Sequence, residues 1–154
     1  MRIKSLLDPS HVLRVEPAAS KTELLAALAA RLAQLDGLGG GEEIAQRLLR
    51  REAQTSTGIG SGVAIPHCSL SGLDRPHLLF AACPRGMDYD ALDGEPVHIL
   101  FLVLAPEDRP SDYLKLLARI SRLLHDPAFR QRLIAAGDTA ELLRLLIEED
   151  DRHP

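Results

Sequence analysis

The spacing of apolar positions divides this chain into a helical first part, a strand-rich middle and a helical last third. Ile3 to Leu7 opens the chain, and His11 to Val15 reads as a short strand. Ser20-Lys21-Thr22-Glu23 has the form of a capping box, in which hydroxyl and carboxylate satisfy the free N–H groups at a helix start. Leu24, Leu28, Leu32 and Leu35 follow at helical spacing, and the run from Gly37 to Gly41 closes that helix. A second helix is expected from about Glu42 to Glu52, with Ile44 and Leu48 facing inward.

The pattern then changes. Val63-Ala64-Ile65 predicts a short strand ending at Pro66. Leu78 to Cys83 and Val97 to Ala105 are unbroken apolar runs, which predicts strands covered on both faces. Asp93-Gly94 between them is a turn signal. Helical spacing returns with Leu114, Leu117, Ile120 and Leu124, with Ser111 as a candidate cap. Asp126-Pro127 predicts an N-cap followed by proline at the first helical position. Phe129, Leu133 and Ile134 form the apolar side of that helix, and Gly137 ends it. Asp138-Thr139-Ala140-Glu141 resembles a second capping box, opening a last helix through Ile147; Glu148 to Pro154 is expected as a frayed polar tail. Elements in this order predict one α/β domain over residues 1–154, a mixed sheet flanked by helices.

Composition narrows the function. The chain is 45% hydrophobic and 26% charged, the balance of a globular protein. A net charge of -4 argues against a general nucleic-acid binder, and 3% aromatics leave no platform for stacking bases. No apolar run is long enough to span a bilayer and no signal-peptide core follows Met1. Cys68 and Cys83 are the two cysteines, so no disulfide framework is expected and the cytoplasm is the natural location.

The chemistry concentrates between Arg51 and His67. Gly58, Gly60 and Gly62 alternate with Ile59 and Ser61, then Val63-Ala64-Ile65-Pro66 leads into His67. Alternating glycines let backbone N–H groups form a concave anion site, and an imidazole beside such a site suits phosphoryl acceptance. Pro66 fixes its own φ and biases Ile65 toward extended geometry, so the approach to His67 is partly preset. A dinucleotide fingerprint is disfavoured because the glycines follow a helix, and a P-loop is excluded by the missing Gly-Lys-Ser/Thr ending.

Arg51-Glu52, Gln54, Ser56-Thr57-Gly58-Ile59-Gly60 and Gly62-Val63-Ala64-Ile65-Pro66-His67 together resemble the signature of enzyme IIA of the phosphotransferase system, in its fructose/mannitol/nitrogen-regulatory class. Asp90 to Val97 resembles that family's hairpin between two sheet strands, and Leu104-Ala105-Pro106 with Leu114, Leu116 and Leu117 its following strand-loop-helix. The resemblance runs from about Leu6 to about Ile147 and implies the family's sandwich fold. It implies that His67 takes a phosphoryl group from an HPr-like phosphocarrier and that Arg51 lies at the active site. Arg51 has a planar guanidinium suited to bidentate phosphate contact. No cofactor and no metal are implied.

Several residues carry two readings. Thr57 and Ser61 are candidate hydroxyl donors to phosphoryl oxygens or binders of their own turn backbone; the turn role is favoured, and Gly58, Gly60 and Gly62 are read as shaping the loop. Glu52 is read as structural, orienting Arg51. Tyr113 stands where the family usually carries a second active-site histidine; its hydroxyl can support a phosphoryl oxygen but cannot become a cation at neutral pH. Cys68 is read as a small buried filler, with a redox role as the alternative. His11, His77, His98 and His125 show no metal-ligand spacing, and Asp88, Asp90 and Asp93 fit a calcium loop poorly. The expectation is a stand-alone domain of nitrogen-regulatory type, because no membrane or enzyme IIB segment is attached. The alternatives are sugar delivery to an enzyme IIB cysteine and an interaction module that is not phosphorylated.

Overall fold

In a computed structural model describing residues 2–154, the chain runs through β1 (Val12–Arg14), α1 (Lys21–Asp36), α2 (Gly41–Gln54), β2 (Gly58–Gly60), β3 (Val63–Ala64), β4 (His67–Leu70), β5 (His77–Met87), β6 (Val97–Pro106), α3 (Pro110–Leu123), α4 (Pro127–Ala135) and α5 (Thr139–Asp151). Two single turns of 3₁₀ helix, Ile3–Ser5 and Pro9–His11, precede β1.

β5 and β6 form the antiparallel centre of a six-stranded mixed sheet. β1 extends it in parallel beside β5. On the other side, β3 and β4 both pair in parallel with β6, and β2 folds back on β3. Successive residues of β5 and β6 point to opposite faces, and helices cover each face. Leu78, Phe80, Ile99, Phe101 and Val103 pack with Leu116, Ile120, Phe129, Leu133, Leu142 and Leu146 from α3, α4 and α5. Leu79, Ala81, Leu100, Leu102 and Leu104 pack with Leu24, Leu28, Leu32, Ile44 and Leu48 from α1 and α2. This double burial accounts for the unbroken apolar runs. Phe80 and Phe101 face each other in register, their rings edge-on with centroids 5.0 Å apart.

The caps follow the sequence closely. Ser20 Oγ accepts from the Glu23 N–H at 3.1 Å, and Asp126 and Asp138 cap α4 and α5 through the N–H groups of Ala128 and Glu141. Gly37 ends α1 in the left-handed region at φ 63°. Several boundaries differ from expectation, among them β5, which runs on to Met87, and β2, a strand within the glycine segment. α3 begins at Pro110, so Ser111 is not its cap; proline is already set for the first helical position and lacks the N–H that would go unpaired. β4 was not foreseen, because His67-Cys68-Ser69-Leu70 gains its strand character from pairing with β6.

The expected frayed tail is replaced by helix. α5 continues to Asp151, and Glu149 and Asp150 are buried. Arg119 Nε donates to Asp150 Oδ1 at 2.7 Å and its Nη2 to the Asp150 carbonyl at 3.0 Å. The Lys4 N–H donates to Asp150 Oδ2 at 3.0 Å, and Arg2 reaches the Asp150 carbonyl and Asp151. Burial by itself would raise the Asp150 pKa, but the Lys4 N–H and Arg119 outweigh it and hold the carboxyl below its usual range. The polar residues therefore close the helix layer through specific partners.

His11 and His77 converge on Asp36 at the end of α1. His11 Nε2 and His77 Nδ1 each lie 2.6 Å from one Asp36 oxygen, while His11 Nδ1 lies 2.8 Å from Asp8. His98 Nδ1–H donates to the Cys83 carbonyl at 3.2 Å. These histidines brace element junctions.

Removing one partner of a buried ion pair leaves the other charge stranded, at about 3–5 kcal/mol. Asp150→Ala, which strands Arg119, is expected to lower unfolding stability by about 3 kcal/mol in urea titration. A loss below about 0.5 kcal/mol would show that the α5 end is not part of the cooperative fold.

Candidate active site

Pairing with β6 sets the position of His67. β3 and β4 lie along one edge of β6, with Val63 opposite Ile99 and His67 opposite Val103. Between them, the Val103 N–H donates to the Pro66 carbonyl at 2.9 Å, and the Ile65 N–H turns aside to the Thr57 carbonyl at 2.9 Å. The imidazole, half-buried at the start of β4, folds back on this bend. His67 Nδ1 lies 2.5 Å from the Ile65 carbonyl. A carbonyl can only accept, so Nδ1 carries the proton and Nε2 keeps its lone pair.

His67 opens into a shallow depression with Arg47, Arg50, Arg51, Gln54, Cys68, Ser69 and Tyr113. Arg47, Arg51 and Gln54 recur at helical spacing along α2 and form one polar stripe. Arg51 sits in the last turn of α2, where its Nη1 donates to the Thr55 carbonyl at 3.0 Å. No carboxylate lines the depression, so three guanidinium groups make it electropositive. Burial lowers the His67 pKa, and the Arg51 charge adds to this against the opposing effects of Ile65 and Glu52. The ring is thus held neutral below the pH at which a free histidine protonates.

Tyr113, in the first turn of α3, meets the His67 ring nearly edge-on, with centroids 5.5 Å apart and planes at 65°. Burial raises its phenol pKa, so the hydroxyl stays a neutral donor. Cys68 points into the core beneath α2, where burial pushes its thiol up to about 12 despite Arg47. That is a filler's environment and not a reactive thiolate's.

The glycine segment lies elsewhere. Thr57, Gly58, Gly60, Ser61 and Gly62 do not line the depression with His67. They form the β2–β3 hairpin, with Gly60, Ser61 and Gly62 all at positive φ. A Cβ at Gly58 would come within 2.7 Å of Ala91 Cβ, so glycine is needed for close approach to the loop after β5. The Ser61 N–H donates to Asp93 Oδ2 at 3.1 Å, and the Thr57 hydroxyl is spent on Glu52 and Tyr89. Asp88 and Asp93 likewise accept from N–H groups of their own loop.

Glu52 is buried and does not bond Arg51. Its carboxylate accepts from the Thr57 N–H at 3.1 and 3.2 Å, from the Thr57 hydroxyl, from Tyr89 Oη–H at 3.0 Å and from Lys21 Nζ at 3.0 Å. Lys21 also lies over the Tyr89 ring, 4.6 Å from its centroid. Sequence reasoning did not single out Arg47, Arg50 or Tyr89 for the site. The spacing of the arginines on α2 was visible, whereas the approach of Tyr89 depends on tertiary packing.

Comparison with known proteins identifies the family and the fold. The family described as "Phosphoenolpyruvate-dependent sugar phosphotransferase system, EIIA 2" matches residues 5–149. A nitrogen regulatory protein from Bradyrhizobium diazoefficiens is 40% identical over 146 residues, covering 95% of each chain. One from Pseudomonas aeruginosa is 34% identical over 148 residues, covering 96% of each. The crystal structure of nitrogen regulatory protein IIA-Ntr from Neisseria meningitidis superposes with a TM-score of 0.85 at 27% identity, covering 94% of this chain and 98% of that one. No helix among the described residues is long and apolar enough to cross a membrane. With its mixed sheet, its two helix layers and this match over most of its length, the chain belongs to the EIIA 2 family of the phosphoenolpyruvate-dependent sugar phosphotransferase system.

Proposed function

We propose that this protein is a histidine phosphocarrier in which His67 Nε2 is the phosphorylated atom, and that its phosphorylation state regulates other proteins. The observation that carries the chemistry is the bond from Nδ1–H to the Ile65 carbonyl, which leaves Nε2 unprotonated within an arginine-rich depression. The regulatory role is supported by relatives that are nitrogen regulatory proteins along nearly their whole length.

The donor is an HPr-like protein carrying a phosphohistidine. As Nε2 attacks, a new N–P bond forms and the donor's N–P bond breaks, its electron pair staying on the donor imidazole. Both rings keep their other N–H, so no net proton moves. Positive charge grows on the His67 ring, and the Ile65 carbonyl dipole faces it at Nδ1. Little further covalent work is needed; alignment and charge neutralisation of the phosphoryl oxygens dominate. Arg51 supplies the second of these, with Arg47 and Arg50 adding to the field. Tyr113 presents a neutral hydroxyl where the family usually has a histidine, which gives weaker support to an anionic oxygen. In the alternative reading, the same phosphoryl group passes to a separate enzyme IIB cysteine.

Incubation with phosphoenolpyruvate, enzyme I and the HPr-like donor is expected to add one acid-labile phosphoryl group by intact mass, absent in His67→Ala. An undiminished gain in His67→Ala would overturn the assignment, and transfer onward to an enzyme IIB cysteine would favour sugar delivery. Arg51→Ala is expected to slow phosphorylation about 100-fold in rapid-quench kinetics, the scale for losing one preorganised donor to an oxyanion. Tyr113→His should accelerate it, and an unchanged rate would show that the tyrosine is a packing residue.

The direction of the His67 shift sets a pH dependence. A lowered pKa keeps Nε2 unprotonated below about pH 6.5, where an ordinary imidazole would begin to charge. With donor-side effects divided out, the decline in rate should be centred below pH 6.5. A decline centred at or above 6.5 would contradict the buried, Arg51-facing environment.

A further inference from the structure

Glu52 is a costly residue to bury next to Arg51 at the end of α2. A carboxylate leaves water only where donors replace its hydration, and a second negative charge beside an incoming phosphoryl group is unhelpful. Its replacement donors come from three separate segments: Lys21 of α1, Thr57 before β2 and Tyr89 after β5. The convergence would serve merely to knit the fold, except that its strongest grip is on a backbone leading to the imidazole.

Both carboxylate oxygens take the Thr57 N–H, and one also takes the Thr57 hydroxyl. Thr57 held in this way offers its carbonyl to the Ile65 N–H at 2.9 Å. Ile65 in turn offers its carbonyl to His67 Nδ1–H at 2.5 Å. Pro66 lies between them and has no N–H with which to hold the bend. The Ile65 carbonyl therefore depends on the Thr57 contact for its direction on one side and on β6 on the other.

We infer that Glu52 is a positioning residue for His67, selecting the Nδ1–H tautomer and the attack direction of Nε2 through Thr57 and Ile65. Because Glu52 also belongs to the last turn of α2, the same contact ties the helix carrying Arg51 to the segment carrying His67. Its negative charge also favours the positive charge that develops on the ring during phosphorylation. The kinetic part of this inference rests on the phosphocarrier reading; the tautomer part does not.

The test is long-range ¹H–¹⁵N correlation of the His67 ring in the full chain, recorded without any phosphoryl donor. The wild type should show Nδ1 protonated and Nε2 bare. Glu52→Gln keeps the shape but turns one acceptor oxygen into a donor. It should shift both ring nitrogens toward a mixed tautomer and slow phosphorylation about tenfold, with the KM for the donor nearly unchanged. Leu133→Ala, a core truncation in α4 on the sheet face away from α2 and Glu52, should lower stability and leave the ring signals in place. Ring signals identical to wild type in Glu52→Gln would overturn the inference, whatever happens to its Tm. Should Glu52→Gln fail to fold, Tyr89→Phe removes a single donor from the carboxylate. A smaller shift in the same direction supports the inference, and unchanged signals overturn it. Failure of the wild type to accept phosphate would sink the functional reading and leave the tautomer result to stand by itself.

Discussion

Everything at the site depends on the parallel pairing of residues 63–70 with β6. That strand is buried on both faces and bonded on both edges, so it deforms little. Running beside it, β3 and β4 keep one register across the Ile65–Pro66 bend. His67 is thereby fixed by sheet geometry at one end of a rigid layer, while Arg51 is fixed by the end of a helix packed on that layer. Neither side chain relies on a long flexible loop for its position.

The bend resolves a conflict between two needs. A continuous strand would pair every backbone group of Ile65 and Pro66 with neighbours and leave the imidazole without a partner. Placing proline there removes an N–H, and the freed carbonyl of the preceding residue turns toward the ring. The cost is that Ile65 must find a donor and an acceptor outside the regular ladder. It finds them in Thr57 and in His67 itself.

Much of the fold was legible because its signals are local. Capping residues, the helical spacing of leucines and the apolar runs of β5 and β6 each report on neighbours within a few positions, and each led to the right element. His67 and Arg51 were picked out by a motif of the same kind, and the fold brings both to one depression. The errors lie where distant partners decide. Glu148 to Pro154 looks like solvent-facing tail by composition, and Arg119, Lys4 and Arg2, all distant in sequence, make helix and burial favourable there. The alternating glycines looked like a phosphate cradle beside His67. Gly60 and Gly62 at positive φ, and Gly58 with Ala91 packed close against it, instead shape a hairpin against a loop some thirty residues further along the chain, a pairing that spacing cannot disclose. Glu52 looked like a servant of its neighbour Arg51, yet on a helix adjacent residues point apart.

The cluster around Asp150 holds both ends of the polypeptide. Arg2 and Lys4 enter from one end, Asp150 and Asp151 from the other, and Arg119 locks them from the middle of the chain. In mechanical terms the polypeptide is a ring closed by an ionic clasp. Loosening either end removes partners from the other, so fraying of the first turn is coupled to fraying of the last.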